Sequence, residues 1–180
     1  MLNKKKALRK IIKVRVSAIS AEERRKREEI LHNNLFSMPE FLAAESVMLF
    51  ANLPDEIDTF SLIDKCFAMG KKVYLPVING DDMTIAEFTG EFQEGRFGIK
   101  EPVINTTLLT LTPNSMDFVL VPGVGFSPSG YRLGRGKGYY DKFLSKYSNL
   151  FTVGVCFREQ FYLDIPTEPH DIPMNKVLVI

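Results

Sequence analysis

The sequence predicts an α/β sandwich, one mainly parallel sheet with helices on both faces. Two observations carry this. Short apolar, β-branched runs recur at residues 46–51, 72–77, 117–121, 151–157 and 176–180, with helical patterns between most of them. A glycine-rich, cationic stretch, PGVGFSPSGYRLGRGKGYYD from Pro122 to Asp141, then joins the 117–121 run to a helix start. Open α/β sheets bind their ligands at such strand C-terminal ends.

In chain order, residues 3–19 read as a helix with an apolar stripe of Leu8, Ile11, Ile12, Val16 and Ile19. Ser20-Ala21-Glu22-Glu23 is a capping box that opens a second helix to about Phe36. The first strand is 46–51. Pro54 ends its extended run, and Asp58 or Thr59 caps a helix to Met69, which Gly70 stops. Residues 72–77 form a second strand and 83–88 a third, antiparallel or at an edge after the turn Asn79-Gly80-Asp81-Asp82. Residues 94–102 read as a glycine-punctuated loop in which Phe97, like Phe88, walls a pocket or belongs to the core. The strands 117–121, 151–157 and 176–180 and the helix beginning at Tyr139 complete the pattern.

At 180 residues, 45% hydrophobic and 25% charged, with net charge +1, the composition is that of one globular domain spanning 1–180, and nothing in the total favours nucleic acid. The positive charge is uneven: residues 1–15 carry Lys4, Lys5, Lys6, Arg9, Lys10, Lys13 and Arg15 and no acid. Without interleaved aromatics this reads as a solvated face before it reads as a nucleic-acid arm. Cys66 and Cys156 lie singly in apolar runs, as small core residues. That suits a reducing cytoplasm. No run is long enough to span a membrane, and the basic start lacks the apolar segment of a secretory signal.

The stretch from Pro122 to Asp141 carries the chemistry. Gly123, Gly125, Gly130, Gly134, Gly136 and Gly138 alternate with Arg132, Arg135 and Lys137. Strand, cationic glycine loop and helix start together suit a polyphosphate, through backbone N–H groups and side-chain charge. Neither familiar phosphate motif fits. A Walker A loop needs one residue fewer between Gly130 and Gly136 and a hydroxyl after Lys137, and the dinucleotide pattern needs glycine where Tyr139 stands. A plain surface connection is the bland alternative. Upstream, Asp55, Glu56 and Asp58 crowd the end of the first strand, as helix caps or as ligand carboxylates.

RLGRGKGYYD, with PGVGF before it, closely resembles the 5-formyltetrahydrofolate cyclo-ligases, and the resemblance runs from about Lys5 to about Val177. Gly98-Ile99 and Glu101-Pro102 keep part of a further family segment. The resemblance implies a Rossmann-like three-layer α/β/α form. It implies ATP- and Mg²⁺-dependent closure of 5-formyltetrahydrofolate to 5,10-methenyltetrahydrofolate through a phosphorylated formyl oxygen.

Carried over by position, it makes Arg132, Arg135 and Lys137 the catalytic cations. ATP is expected on Lys5, Arg9, Gly134, Arg135, Gly136, Lys137, Gly138 and Tyr139. Folate is expected on Glu56 and Tyr139, and Mg²⁺ on Asp141 and Asp171, with Asp141 an exposed helix-start residue. A carboxylate at Glu56 can accept paired N–H bonds from a 2-amino-4-oxo pterin. The family usually has Asp where Asn175 stands, so no metal role falls there. His170 reads as a structural hydrogen bonder. The expected partners are small molecules alone, bound by a cytoplasmic monomer. Without the resemblance the residues reach only an α/β protein that binds a polyphosphate. Another ATP- or CoA-using enzyme and a non-enzymatic ligand-binding regulator stay open.

Overall fold

The structure, a computed structural model, describes residues 2–94, 100–103, 116–147 and 149–180. The chain opens with α1 (Leu2–Ser17), α2 (Ala21–Leu35) and the short α3 (Pro39–Ala43), then enters β1 (Ser46–Met48). Ser20 caps α2, its hydroxyl accepting from the Glu23 N–H at 3.2 Å. α4 (Phe60–Ala68) leads to the hairpin of β2 (Lys72–Asn79) and β3 (Asp82–Glu87). Asp58 Oδ1 accepts from Phe60 N–H at the start of α4, and Thr59 Oγ1 donates to Phe50 O. The small ribbon β4 (Phe92–Glu94) and β5 (Lys100–Pro102) follows, then β6 (Phe118–Val121). After β6 come β7 (Gly125–Phe126), β8 (Arg132–Leu133), α5 (Tyr139–Ser145), β9 (Phe151–Cys156), a 3₁₀ turn (Arg158–Gln160) and β10 (Lys176–Val179).

The main sheet has the order β10-β9-β6-β1-β2-β3. Every pairing in it is parallel except β2–β3, which is antiparallel at the edge. The period-2 alternation of buried strands divides the core. Val47, Phe118, Leu120 and Val153 pack with the apolar stripes of α1, α2 and α4. Met48, Val119, Val121 and Cys156 pack with Phe143 and Leu144 of α5 on the opposite face. Helix, sheet and helix layers are therefore as the sequence predicts. Both cysteines are buried free thiols, pushed up to about 11 (Cys66) and about 12 (Cys156) by burial. No helix among the described residues is long and apolar enough to cross a membrane.

Two details depart from the sequence reading. Residues 94–102 are not only loop, because β4 and β5 pair there, although Phe97 lies outside the described residues. The glycine stretch is not one open loop either. Gly125 pairs with Leu133 and Phe126 with Arg132, so a two-stranded ribbon carries Arg132 back under the sheet end. At its turn, Gly130 sits at φ +83, and a Cβ there would lie 2.4 Å from the Met174 carbonyl oxygen. Both geometries require glycine.

The chain enters the sheet at β1, builds outward to β3, then returns to the other side of β1 as β6. The strand order thus reverses between β1 and β6, and a crevice opens beyond their C-terminal ends.

Candidate functional site

That crevice is a cavity of about 920 Å³. Its floor is Phe50 and Ala51 after β1 and Pro122 and Gly123 after β6. One wall is Lys5 and Arg9 of α1, Arg132 of β8, residues 134–138 and residues 168–172. The other is Leu53, Glu56, Pro76, Ile78, Met83 and Glu101. Tyr139 and Asp141 of α5 stand between them. Every residue expected at the site therefore lines one space, although the chain brings them from positions 5 to 171.

α1 supplies its two cations from one face because positions four apart on a helix are neighbours. Lys5 is buried, and its Nζ donates to Asp171 Oδ2 at 2.8 Å and Glu168 Oε2 at 3.1 Å. Burial works against the charge on Lys5, but the two carboxylates outweigh it and raise its pKa above the ordinary value. Burial likewise opposes the Asp171 charge. Lys5 and the Glu168 N–H, 2.7 Å from Oδ2, outweigh it and hold that carboxyl below its usual range. Arg9 Nε donates to the Gly134 carbonyl at 2.7 Å and so pins the loop to α1.

Arg132 is buried on the ribbon, its guanidinium over the Tyr140 ring at 5.4 Å. Its Nη2 lies 2.8 Å from Asp141 Oδ2. Among the described residues Nε and Nη2 are buried with no hydrogen-bond partner, so the contact with Asp141 is an ion pair. The Tyr140 hydroxyl is also buried without one, and burial pushes its pKa up. Unpaired buried donors are costly in a chain with no use for them. Here both side chains belong to the lining of the cavity.

Arg135 reaches across the mouth. Its Nε and Nη2 donate to Glu56 Oε1 at 3.1 and 2.9 Å, and its Nη2 and Nη1 donate to Asp55 at 2.7 and 3.3 Å. Burial opposes the Asp55 charge, but Arg135 outweighs it and lowers the carboxyl pKa. Glu56 Oε2 accepts from the Leu53 N–H at 2.9 Å, which fixes the carboxylate's orientation. Lys137 is exposed at the loop tip, with Gly136 beside it. Gly138 starts α5 at φ +69, and the Tyr139 hydroxyl donates to the Gly80 carbonyl at 3.1 Å.

Asp141 corrects one expectation. Its side chain is 14% exposed and is held against Arg132, and its Oδ1 accepts a long bond from the Ile172 N–H at 3.4 Å. It is a buried ion-pair partner and not a free helix start. That bond also brings the 168–172 segment against α5. The ligand atoms of Glu168, His170 and Asp171 lie within 4.8 Å of one another. All three belong to the 168–171 segment, and its two carboxylates, Glu168 and Asp171, are hard oxygen donors that suit a hard cation. Asp141, the other expected Mg²⁺ ligand, stands outside this group and faces Arg132. Asn175 is elsewhere: its Oδ1 accepts from the backbone N–H and hydroxyl of Thr152 and ties the approach to β10 onto β9. Phe88 is buried, stacked with Phe67 and Phe92, which settles it as core.

Sequence reasoning missed three residues. Asp55 reads as a cap but binds Arg135. Glu168 shares Lys5, and the signal for it was its place just before His170 and Asp171. Tyr140 hides behind Tyr139 in the same motif, and only the backbone shows which ring turns toward Arg132.

Comparisons with known proteins point to one family. A mouse (Mus musculus) protein named 5-formyltetrahydrofolate cyclo-ligase is 28% identical, over 97% of this chain and 92% of its own length. The NMR structure of Aquifex aeolicus 5,10-methenyltetrahydrofolate synthetase superposes with a TM-score of 0.85 at 34% identity, covering 97% of this chain and 89% of that one. A Mycoplasma pneumoniae 5,10-methenyltetrahydrofolate synthetase shares the fold, with a TM-score of 0.76 at 22% identity over 96% of both chains. The 5-formyltetrahydrofolate cyclo-ligase family model matches residues 1–180, the full span over which the glycine motif, the α1 cations and the carboxylates were located. The chain belongs to the 5-formyltetrahydrofolate cyclo-ligase family.

Proposed function

We propose that this chain is a cyclo-ligase. It closes 5-formyltetrahydrofolate to 5,10-methenyltetrahydrofolate while MgATP is converted to ADP and phosphate. The observation that carries the reading is the meeting, in one cavity, of buried cations suited to phosphate and of Glu56, suited to a pterin.

Hydroxide is a poor leaving group from an N-formyl carbon, so the formyl oxygen has to be activated. The formyl oxygen attacks the γ-phosphorus and ADP leaves. The N10 electron pair then attacks the formyl carbon, closing the ring. Phosphate departs with the former formyl oxygen and its bonding pair, and N10 loses its proton. Such transfer depends on positioning and charge more than on covalent help from the protein.

Arg132, whose Nε and Nη2 have no hydrogen-bond partner among the described residues, turns to phosphate oxygens, and Lys5, Arg135 and Lys137 add charge along the same wall. Arg9 holds the 134–138 loop in place. Glu56 receives the pterin N–H groups, and Tyr139 borders the folate. Asp141 and Asp171 hold Mg²⁺, which neutralises phosphate charge when bound. To hold it, each aspartate would give up its cation, Lys5 or Arg132, which would then be free for phosphate. The protein acts as a single-domain cytoplasmic monomer on small molecules.

The test is direct. With 5-formyltetrahydrofolate and MgATP, the purified protein generates the methenyl absorbance, and omission of ATP or Mg²⁺ abolishes it. Binding of both ligands without any rise would make the protein a regulator. Absence of folate binding would return it to the other users of ATP.

A further inference from the structure

The guanidinium of Arg135 has two hydrogen-bonding edges, and the structure gives each to a different carboxylate. The side edge, Nε with Nη2, faces Glu56 Oε1. The end edge, Nη1 with Nη2, forks onto the two oxygens of Asp55 at 3.3 and 2.7 Å. The two acids are not equivalent. Glu56 lines the cavity with its side chain 13% exposed, whereas Asp55 lies outside the lining with its side chain 45% exposed. A ligand that takes Glu56 Oε1 removes the partner of the side edge only.

We propose that Asp55 is a positioning residue: it is the standing partner of Arg135. It holds the guanidinium by its end edge from outside the cavity, so that Glu56 can be given up to the folate and the side edge turned to an oxyanion of the nucleotide. This rests on the reading of the site given above. The bidentate end-on fork fixes the plane of the group as well as its place, which a single contact does not. Without Asp55, the remaining carboxylate partner of Arg135 among the described residues would be Glu56. Folate would then compete with Arg135 for that carboxylate, and Arg135 would be free to leave the mouth once displaced.

Two measurements on the full chain test this. The first is the ¹⁵N relaxation of the Arg135 Nε–H resonance, assigned by its loss in Arg135→Gln. Asp55→Asn should render that resonance mobile, while Glu56→Gln should leave it ordered. Order retained in Asp55→Asn, or lost equally in both variants, overturns the proposal. The second is calorimetric titration of a non-hydrolysable imido analogue of ATP with Mg²⁺. Asp55→Asn should weaken binding about tenfold in the wild-type background. It should add less than about twofold to Arg135→Gln, because its effect runs through that side chain. A full second loss in the double variant would mean a general structural role for Asp55 and sink the proposal. Asp55→Glu should recover part of the affinity. If the wild type binds no nucleotide analogue, the reading of the site fails, and the relaxation arm alone then decides whether Asp55 holds Arg135.

Discussion

Lys5, Arg132 and Arg135 each meet a carboxylate that also lines or borders the cavity. For the first two pairs burial changes the energetics, since an ion removed from water without its partner is heavily penalised. Asp141→Asn leaves Arg132 buried beside a neutral amide. The expected loss is about 3 kcal/mol of unfolding free energy, read from urea denaturation; an unchanged midpoint would mean that solvent already screens Arg132.

The Lys5 pair carries a pH signature at both ends. The Lys5 pKa is raised above 10.5, so its contribution is complete below that value and fades as pH rises through the higher folded value. The Asp171 pKa is lowered below 3.8, so its contribution is complete above 3.8 and fades as pH falls through the folded value. The stability gap between wild type and Lys5→Met should therefore be constant across neutral pH and close above about pH 10.5. A gap that stays constant into strong alkali would contradict the pairing. The residue types at the site were legible in the sequence because glycine, arginine and lysine alternate within one short stretch. Their partners were not, because Lys5 and Asp171 are 166 positions apart and no local pattern links them.

Long elements are legible in the sequence where a period has room to repeat, as in α1, α2 and the β2–β3 hairpin with its Asn79-Gly80 turn. The short ones are not. α3 has five residues, β4 and β5 three each, and β7 and β8 two each, too few to show periodicity. Their existence depends on tertiary pairing, which for β7–β8 is the seat of Arg132 on the sheet end. The ribbon turn can be tested through two glycines. Gly138→Ala meets no atom within 4 Å and has to bear φ +69 alone, a cost of about 1–2 kcal/mol. Gly130→Ala adds a Cβ against the Met174 carbonyl at 2.4 Å and should cost more, about 3 kcal/mol or above. Equal losses, measured by denaturant unfolding of both variants, would mean that the 174 segment yields freely and does not lock the ribbon.

At the scale of the molecule, the reversal of strand order between β1 and β6 makes the site. It places the Glu56 loop beside the glycine loop, while α1 crosses above and the 168–172 segment closes the far side. The sandwich followed from the order of apolar runs. The strand order did not, because apolar runs state that strands are buried and not which neighbours they take. In the proposed reaction the formyl oxygen leaves as part of phosphate. Substrate labelled with ¹⁸O in the formyl group, turned over with unlabelled MgATP, tests it by mass spectrometry of the released phosphate. One ¹⁸O per phosphate, in step with methenyl formation, is the predicted result; unlabelled phosphate with the isotope in water would contradict it.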